Sequence, residues 1–279
     1  MTERPILIAQ ISDLHIVRPG ALAYGSIDTA AAMVRCIAQL ARLAPRPDLV
    51  VVSGDLTDTG LAEEYEHVKQ LLAPLDMPLA LIPGNHDARA PMRAAFPERA
   101  YEPGSGALNQ ALPVGPIDVV LLDSSVPGEP HGELGADTLR WLEATLGSST
   151  TRPALLFLHH PPFLTGIGHM DRQNLRNAGD LAAIIRRHRR LRLIAAGHVH
   201  RATLTVIEGI AATICPAPNH AVDLDLGALR PPAFVIEPPG LHLHAWFPGA
   251  DFGTVVTHFV PIGDWGGPRP FRGSGDKQP

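Results

Sequence analysis

Six short, near-continuous apolar runs constrain what this chain can become. They cover residues 6–11, 49–52, 79–82, 119–122, 154–158 and 191–195. Four to six apolar residues without polar alternation suit strands covered on both faces. Between several of them lie stretches with apolar residues at helical spacing, over residues 29–43, 63–72, 138–146 and 181–187. In the first, Met33, Val34, Ile37, Leu40 and Ala41 mark the repeat. Strand alternating with helix predicts a layered α/β domain with at least partly parallel pairing. With 279 residues, 45% of them hydrophobic, the chain can bury a sizeable core.

The texture changes after residue 201. Strands are predicted over 203–207, 233–236, 241–246 and 254–259. The last two alternate, as half-exposed antiparallel strands do. These strands are expected to complete a second sheet, giving one domain over residues 1–262. Residues 263–279, rich in Gly and Pro, read as a tail that is ordered only by contact, or disordered.

Five apolar runs end in residues that bind metals. The islands are Asp13-Leu14-His15, Gly54-Asp55-Leu56-Thr57-Asp58, Gly84-Asn85-His86-Asp87, His159-His160 and Gly197-His198-Val199-His200. Ligands in α/β sheets gather beyond the carboxyl ends of strands, so one sheet edge would bring all five together. Asp13 and His15 are two apart, which on an extended strand end turns both side chains the same way, and His198 and His200 repeat this. Gly54, Gly84 and Gly197 precede ligands where a tight turn leaves little room. Each island alone is ordinary turn or surface chemistry. Their shared placement argues for one composite site. Asp, Asn and His donors without Cys suit Mn, Fe, Zn, Co or Mg rather than a closed structural zinc site. The donors suffice for two adjacent divalent metals, and such a pair implies phosphoester hydrolysis.

The formal net charge is -5 and charged residues make up 18%. No basic surface for a nucleic acid polymer is indicated, so bound cations must attract an anionic substrate. Cys36 and Cys215 read as buried structural thiols. No signal peptide and no apolar stretch of membrane-spanning length is evident, which points to the cytoplasm and away from a membrane.

In this order, the islands resemble the calcineurin-like metallophosphoesterase superfamily over residues 6–201. The run His159-His160-Pro161-Pro162-Phe163, followed by His169-Met170-Asp171, resembles its class III cyclic-nucleotide phosphodiesterase and bacterial glycerophosphodiesterase branch. The resemblance implies a four-layer αββα sandwich with two mixed β-sheets and a dinuclear metal site at one edge. It implies one metal on Asp13, His15, Asp55 and His200, and another on Asp55, Asn85, His159 and His198, with Asp55 bridging. The metals would be Mn, Fe, Zn or Co. A hydroxide held between them would attack a small phosphodiester such as cyclic AMP or a glycerophosphodiester. Departures from sibling families weigh against other substrates. Asp58 stands where purple acid phosphatases place a Tyr. Thr59 and Asp87 stand where protein Ser/Thr phosphatases place Arg and Glu.

His86, with Asp87 as its orienting partner, is the candidate catalytic pair, His86 facing the phosphate or leaving group. Support of its own loop is the competing role. His160 is expected to pack or brace, and Asp58 to cap its loop. Arg89, His169 and Asn177 could line the pocket or simply hold structure. Residues 161–179 are expected to overhang the metals and set substrate choice. A broad phosphomonoesterase or phosphonate esterase is the alternative, and a metal-free binding scaffold a further one. Relatives of this branch often form homo-oligomers.

Overall fold

The computed structural model describes residues 4–99, 101–102 and 106–271. In chain order the strands are β1 (Ile6–Ile11), β2 (Leu49–Ser53), β3 (Leu79–Ile82), β4 (Gln110–Val114), β5 (Ile117–Leu122), β6 (Ala154–Leu158), β7 (Leu191–Ala196), β8 (Thr203–Ile207), β9 (Ile210–Ile214), β10 (Ala221–Val222), β11 (Phe234–Val235), β12 (Gly240–Phe247) and β13 (Thr254–Pro261). The helices are α1 (Thr29–Ala41), α2 (Ala62–Leu72), α3 (Arg89–Ala95), α4 (Ala136–Gly147), α5 (Gly168–Asp171) and α6 (Ala178–Ile185).

Two mixed sheets face each other. The first runs β13-β12-β1-β2-β3 and the second β4-β5-β6-β7-β9-β8. Successive side chains of a strand point to opposite faces. Ile8, Val51 and Ile82 therefore pack against Val119, Phe157 and Leu193 in the layer between the sheets. Val50, Val52 and Leu81 point the other way, onto Met33 and Leu40 of α1 and Tyr65 and Val68 of α2. On the second sheet, Val120, Leu156 and Ile194 meet Leu142 of α4 and Leu181 of α6. This is the αββα sandwich, and both strand faces are dry, as the unbroken apolar runs require. The start of α1 is set by Asp28, whose side chain accepts a hydrogen bond from the Ala31 amide at 2.8 Å. Such a cap contributes about 1 kcal/mol.

The late strands depart from expectation. Only β8 and β9 join the second sheet, while β12 and β13 extend the first, β12 pairing antiparallel with β1. The alternation in β12 is not half-exposure. Leu241 and Leu243 face the helices, while His244 lies between the sheets. There His244 Nε2 meets Gln10 Oε1 at 3.1 Å and its Nδ1 meets Thr257 Oγ1 at 2.8 Å. Hydrogen bonding lets a polar side chain occupy a buried position that an apolar pattern cannot mark. β13 is the half-exposed edge strand. β4 escaped the sequence pattern because it contains Pro113, which a strand tolerates only at an edge, and β4 is an edge.

Cys36 and Cys215 are both free and buried. Among the described residues no helix is long and apolar enough to cross a membrane. Residues 263–271 form no helix or strand, and the rest of the Gly/Pro-rich segment, 272–279, lies outside the described residues.

Candidate metal centre

The five islands meet at one edge of the sandwich, and both sheets supply them. Asp13 and His15 follow β1, Asp55 follows β2, and Asn85 and His86 follow β3. His159 follows β6, and His198 and His200 follow β7. Backbone hydrogen bonds carry the pairing beyond the strands and hook the islands together. Asp13 N donates to Gly54 O at 3.0 Å, His15 N to Asp55 O at 3.0 Å, and Gly197 N to His159 O at 2.9 Å.

The side chains converge through strained backbone rather than extended strand ends. Asp13, His15, Asp55, His198 and His200 have φ of 59°, 47°, 49°, 73° and 57°. A left-handed non-glycine residue costs on the order of 1 kcal/mol, and such outliers cluster at functional sites. Glycines supply the clearance. A Cβ on Gly84 would strike the Asp55 carboxylate, and one on Gly197 would strike Ser12 Oγ. Of the three glycines before ligands, only Gly54 uses a left-handed turn, at φ +102°. The other two are needed for close approach.

Asp55 Oδ2 lies 3.6 Å from His15 Nε2 and 3.3 Å from His159 Nε2, between the two rings. His159 Nε2 is also 3.2 Å from Asn85 Oδ1. His200 Nε2 is 3.5 Å from Asp13 Oδ1. The His198 ring is 5.2 Å from that of His159. All seven candidate ligands are thus brought to one place.

The imidazole hydrogen bonds fix which nitrogens face inward. His159 Nδ1 donates to Ser53 O at 2.9 Å, and His200 Nδ1 to His220 O at 3.3 Å. His15 Nδ1 donates to Asp58 Oδ1 at 3.2 Å. Each ring is thereby anchored at Nδ1 and turns Nε2 inward. His15 Nε2 and His200 Nε2 face each other at only 3.2 Å. Without metal, a proton on one of these nitrogens can bridge to the other, and a cation between them would take its place. The donors of Asp13, His15 and His200 all lie within 4.8 Å of one another, as do those of Asp13, Asp55 and His159. Oxygen and imidazole donors in such groups fit divalent cations.

Electrostatics separate the two carboxylates. Burial pushes Asp13 up to about 6. Burial would raise Asp55 too, but His159 and His86 beside it hold it well below the usual carboxylate range. Burial alone would lower His159, and the charge of Asp55 outweighs it, lifting His159 to about 9. Burial drives His198 and His200 well below the ordinary histidine value, keeping them neutral as ligation requires.

Asp87 does not orient His86. Its carboxylate accepts from the amides of Leu56, Thr57 and Gly84 at 3.0, 3.2 and 2.9 Å. It also accepts from the hydroxyls of Thr57 and Tyr65, both at 3.0 Å. A carboxylate so placed braces two loops. His86 is held instead by the Asp58 carbonyl, which accepts its Nδ1–H at 2.8 Å. Asp58 therefore does more than cap a loop, since its carboxylate aims His15 and its carbonyl aims His86.

His15, Asp55, Asn85, His86, His198 and His200 border a cavity of about 260 Å³. His169, Met170 and Gln173 of the 161–179 segment line it too. Arg89 does not, because its guanidinium grips the buried Asp123 carboxylate through Nε at 2.6 Å. Asn177 is likewise committed elsewhere, exchanging hydrogen bonds with the backbone of Leu134. The sequence reading missed Tyr24, His220 and Phe234, which form an aromatic wall with Tyr24 and Phe234 stacked at 5.3 Å. It also missed Asn219, whose Nδ2 donates to the carbonyls of Asp13 and Leu14 at 3.0 and 2.8 Å. One signal could have found the last pair. β9 runs parallel to β7, so Asn219-His220 follow a sixth strand whose carboxyl end reaches the same edge.

Comparison with known proteins agrees with this geometry. The model of the calcineurin-like phosphoesterase family matches residues 6–202. A protein of Arcobacter nitrofigilis, "Probable glycerophosphodiester phosphodiesterase GpdQ", is 38% identical over 95% of this chain and 97% of its own. Glycerophosphodiester phosphodiesterase GpdQ of Enterobacter lignolyticus is 35% identical over 86% of each chain. The 3',5'-cyclic adenosine monophosphate phosphodiesterase CpdA of Pseudomonas aeruginosa is 36% identical over 72% of this chain and 71% of its own. A solved dimetal phosphatase from Danio rerio shares the fold at a TM-score of 0.63 and 14% identity, covering 94% of this chain and 100% of that one. Strand ends, donor set and sequence thus agree, and the chain belongs to the calcineurin-like phosphoesterase family.

Proposed function

We propose that this protein hydrolyses small phosphodiesters, glycerophosphodiesters or cyclic nucleotides, with two divalent ions held by Asp13, His15, Asp55, Asn85, His159, His198 and His200. The observation that carries the proposal is the composition of the cavity. It gathers imidazoles and the Asp55 carboxylate, and among the described residues no Lys or Arg lines it. A phosphodiester anion needs countercharge there, and divalent cations held by these donors would supply it. The names of the relatives point to the same substrates.

Divalent ions at these donors would neutralise phosphoryl charge and lower the pKa of a bound water toward neutrality. The two would be Mn, Fe, Zn or Co. Asp55 stands where both can share it. The chain's own part is orientation and proton delivery. Asp58 fixes His86 through Nδ1, leaving Nε2 for the cavity. As the imidazolium, with Nδ1–H on the Asp58 carbonyl, His86 gives its Nε2 proton to the departing alkoxide and is left neutral. The aromatic wall of Tyr24, His220 and Phe234 gives the leaving group an apolar face, and His169, Met170 and Gln173 line the same cavity. The segment 161–179 thereby influences which ester group fits.

A turnover panel tests the proposal. Chelator-treated protein should be inactive and regain activity with Mn. It should prefer bis-aryl phosphate, cyclic AMP or glycerophosphodiesters over phosphomonoesters. Preference for monoesters would overturn the substrate assignment. His86→Ala should lower kcat about 10²-fold or more on poor leaving groups and less on activated ones. Unchanged turnover on both would remove His86 from the mechanism.

A further inference from the structure

Gln10 is a polar residue in an apolar layer. It is fully buried, on the face of β1 that carries Ile8 into the space between the sheets. A buried amide is costly unless both its ends are paired, and here both are. Nε2 donates to Ser53 Oγ at 2.8 Å and to Ala196 O at 3.0 Å. Oε1 accepts from His244 Nε2 at 3.1 Å.

The two acceptors belong to different sheets. Ser53 closes β2 in the first and Ala196 closes β7 in the second. Each is followed by a glycine and then a candidate ligand, Gly54-Asp55 in one case and Gly197-His198 in the other. Ser53 carries a further link, because its carbonyl accepts from His159 Nδ1 at 2.9 Å and from Ser12 Oγ at 3.2 Å. The direction of the Gln10 amide is fixed by what it meets. A carbonyl can only accept, so the end facing Ala196 is the NH2 and Oε1 faces His244. Nε2 of His244 therefore carries the hydrogen, and its Nδ1 accepts from Thr257 Oγ1 at 2.8 Å. Burial holds His244 well below the ordinary histidine value, which keeps it neutral with one N–H and one lone pair.

We infer that Gln10 is a positioning residue whose amide, aimed by His244, ties the strand end before Asp55 to the strand end before His198 and so sets how the two halves of the metal centre meet. It acts through Ser53 and Ala196 rather than by touching a metal. Packing alone would not need the amide, since an apolar side chain of similar length fills the same space without the three hydrogen bonds. That difference separates positioning from packing.

The inference rests on the two-metal reading, and one experiment separates them. Wild type, Gln10→Met, His244→Phe and His244→Gln are freed of metal, melted to check folding and titrated calorimetrically with Mn(II). Wild type should bind two equivalents. Gln10→Met should weaken at least one binding event about 3–30-fold. The exchange-coupled electron paramagnetic resonance signal of its fully loaded Mn pair, which depends on how the two ions are held, should also shift. His244→Phe should weaken the same event, and His244→Gln, whose NH2 restores the donor to Oε1, should recover most of the loss. The two His244 variants carry the test if Gln10→Met fails to fold. Wild type binding fewer than two equivalents would overturn the two-metal reading and this inference with it. Two wild-type events that stay within about twofold in Gln10→Met, with an unshifted resonance signal, would overturn this inference alone. So would His244→Gln binding as weakly as His244→Phe, which would leave His244 and Gln10 a packing role only.

Discussion

At the scale of single residues, the centre depends on side chains that aim others. Asp58 is the clearest case, because its carboxylate holds His15 Nδ1. Asp58→Ala should weaken metal binding about 10–100-fold, while Asp58→Asn, which keeps an oxygen acceptor, should lose less. Titration of the metal-free proteins measures both. Asn219→Ala should remove the donor of two buried carbonyls next to Asp13 and cost about 1–3 kcal/mol in denaturant unfolding. Residue type carried much of this. Asp, Asn and His at run ends announced the ligands. Their spacing did not announce the left-handed backbone, since φ depends on the neighbouring loops to which Asp13 and His15 bond. The assignment of Asp87 to His86 failed for a related reason. Adjacency in sequence says little about direction, and five nearby donors claimed that carboxylate.

At the scale of elements, the parallel strands do the gathering. Unbroken apolar runs made β1, β2, β3, β5, β6 and β7 legible, because burial on both faces leaves no other composition. The later strands were harder to place. Nothing local tells β12 which sheet it joins, and His242 and His244 gave it the texture of a half-wet strand while it lies inside. The strand ends can be probed directly. Gly84→Ala places a methyl group on the Asp55 carboxylate and should cost about 1–3 kcal/mol of stability together with metal affinity. Gly135→Ala, in open space before α4, should cost about 1 kcal/mol or less and leave metal binding intact. Equal effects from the two substitutions would refute the close-approach argument.

At the scale of the whole molecule, buried titratable groups predict how the metal-free protein responds to pH. Burial lowers His160, His198, His200, His242 and His244 from 6.5, and His220 to about 2. Unfolding lets them take up protons, so stability should fall as pH drops below about 6.5. Burial would also lower His15 and His159, but hydrogen bonding by Asp58 and the charge of Asp55 raise them, His159 to about 9. Their contribution is complete below about 6.5 and lost as pH rises to about 9. Chelated protein should therefore melt highest near neutrality. Added Mn should flatten the alkaline decline and raise stability by about 2.7 kcal/mol at a hundredfold excess over Kd. A melting temperature that climbs steadily to pH 9 without metal would contradict these assignments. One further consequence follows from the two-sheet origin of the centre. Asp13, His15, Asp55 and Asn85 come from one sheet, and His159, His198 and His200 from the other. An ion shared among them fastens one half of the sandwich to the other like a rivet. Chelation should accordingly speed amide hydrogen exchange along the seam between β1 and β7 while leaving the outer faces of α1 and α4 unchanged.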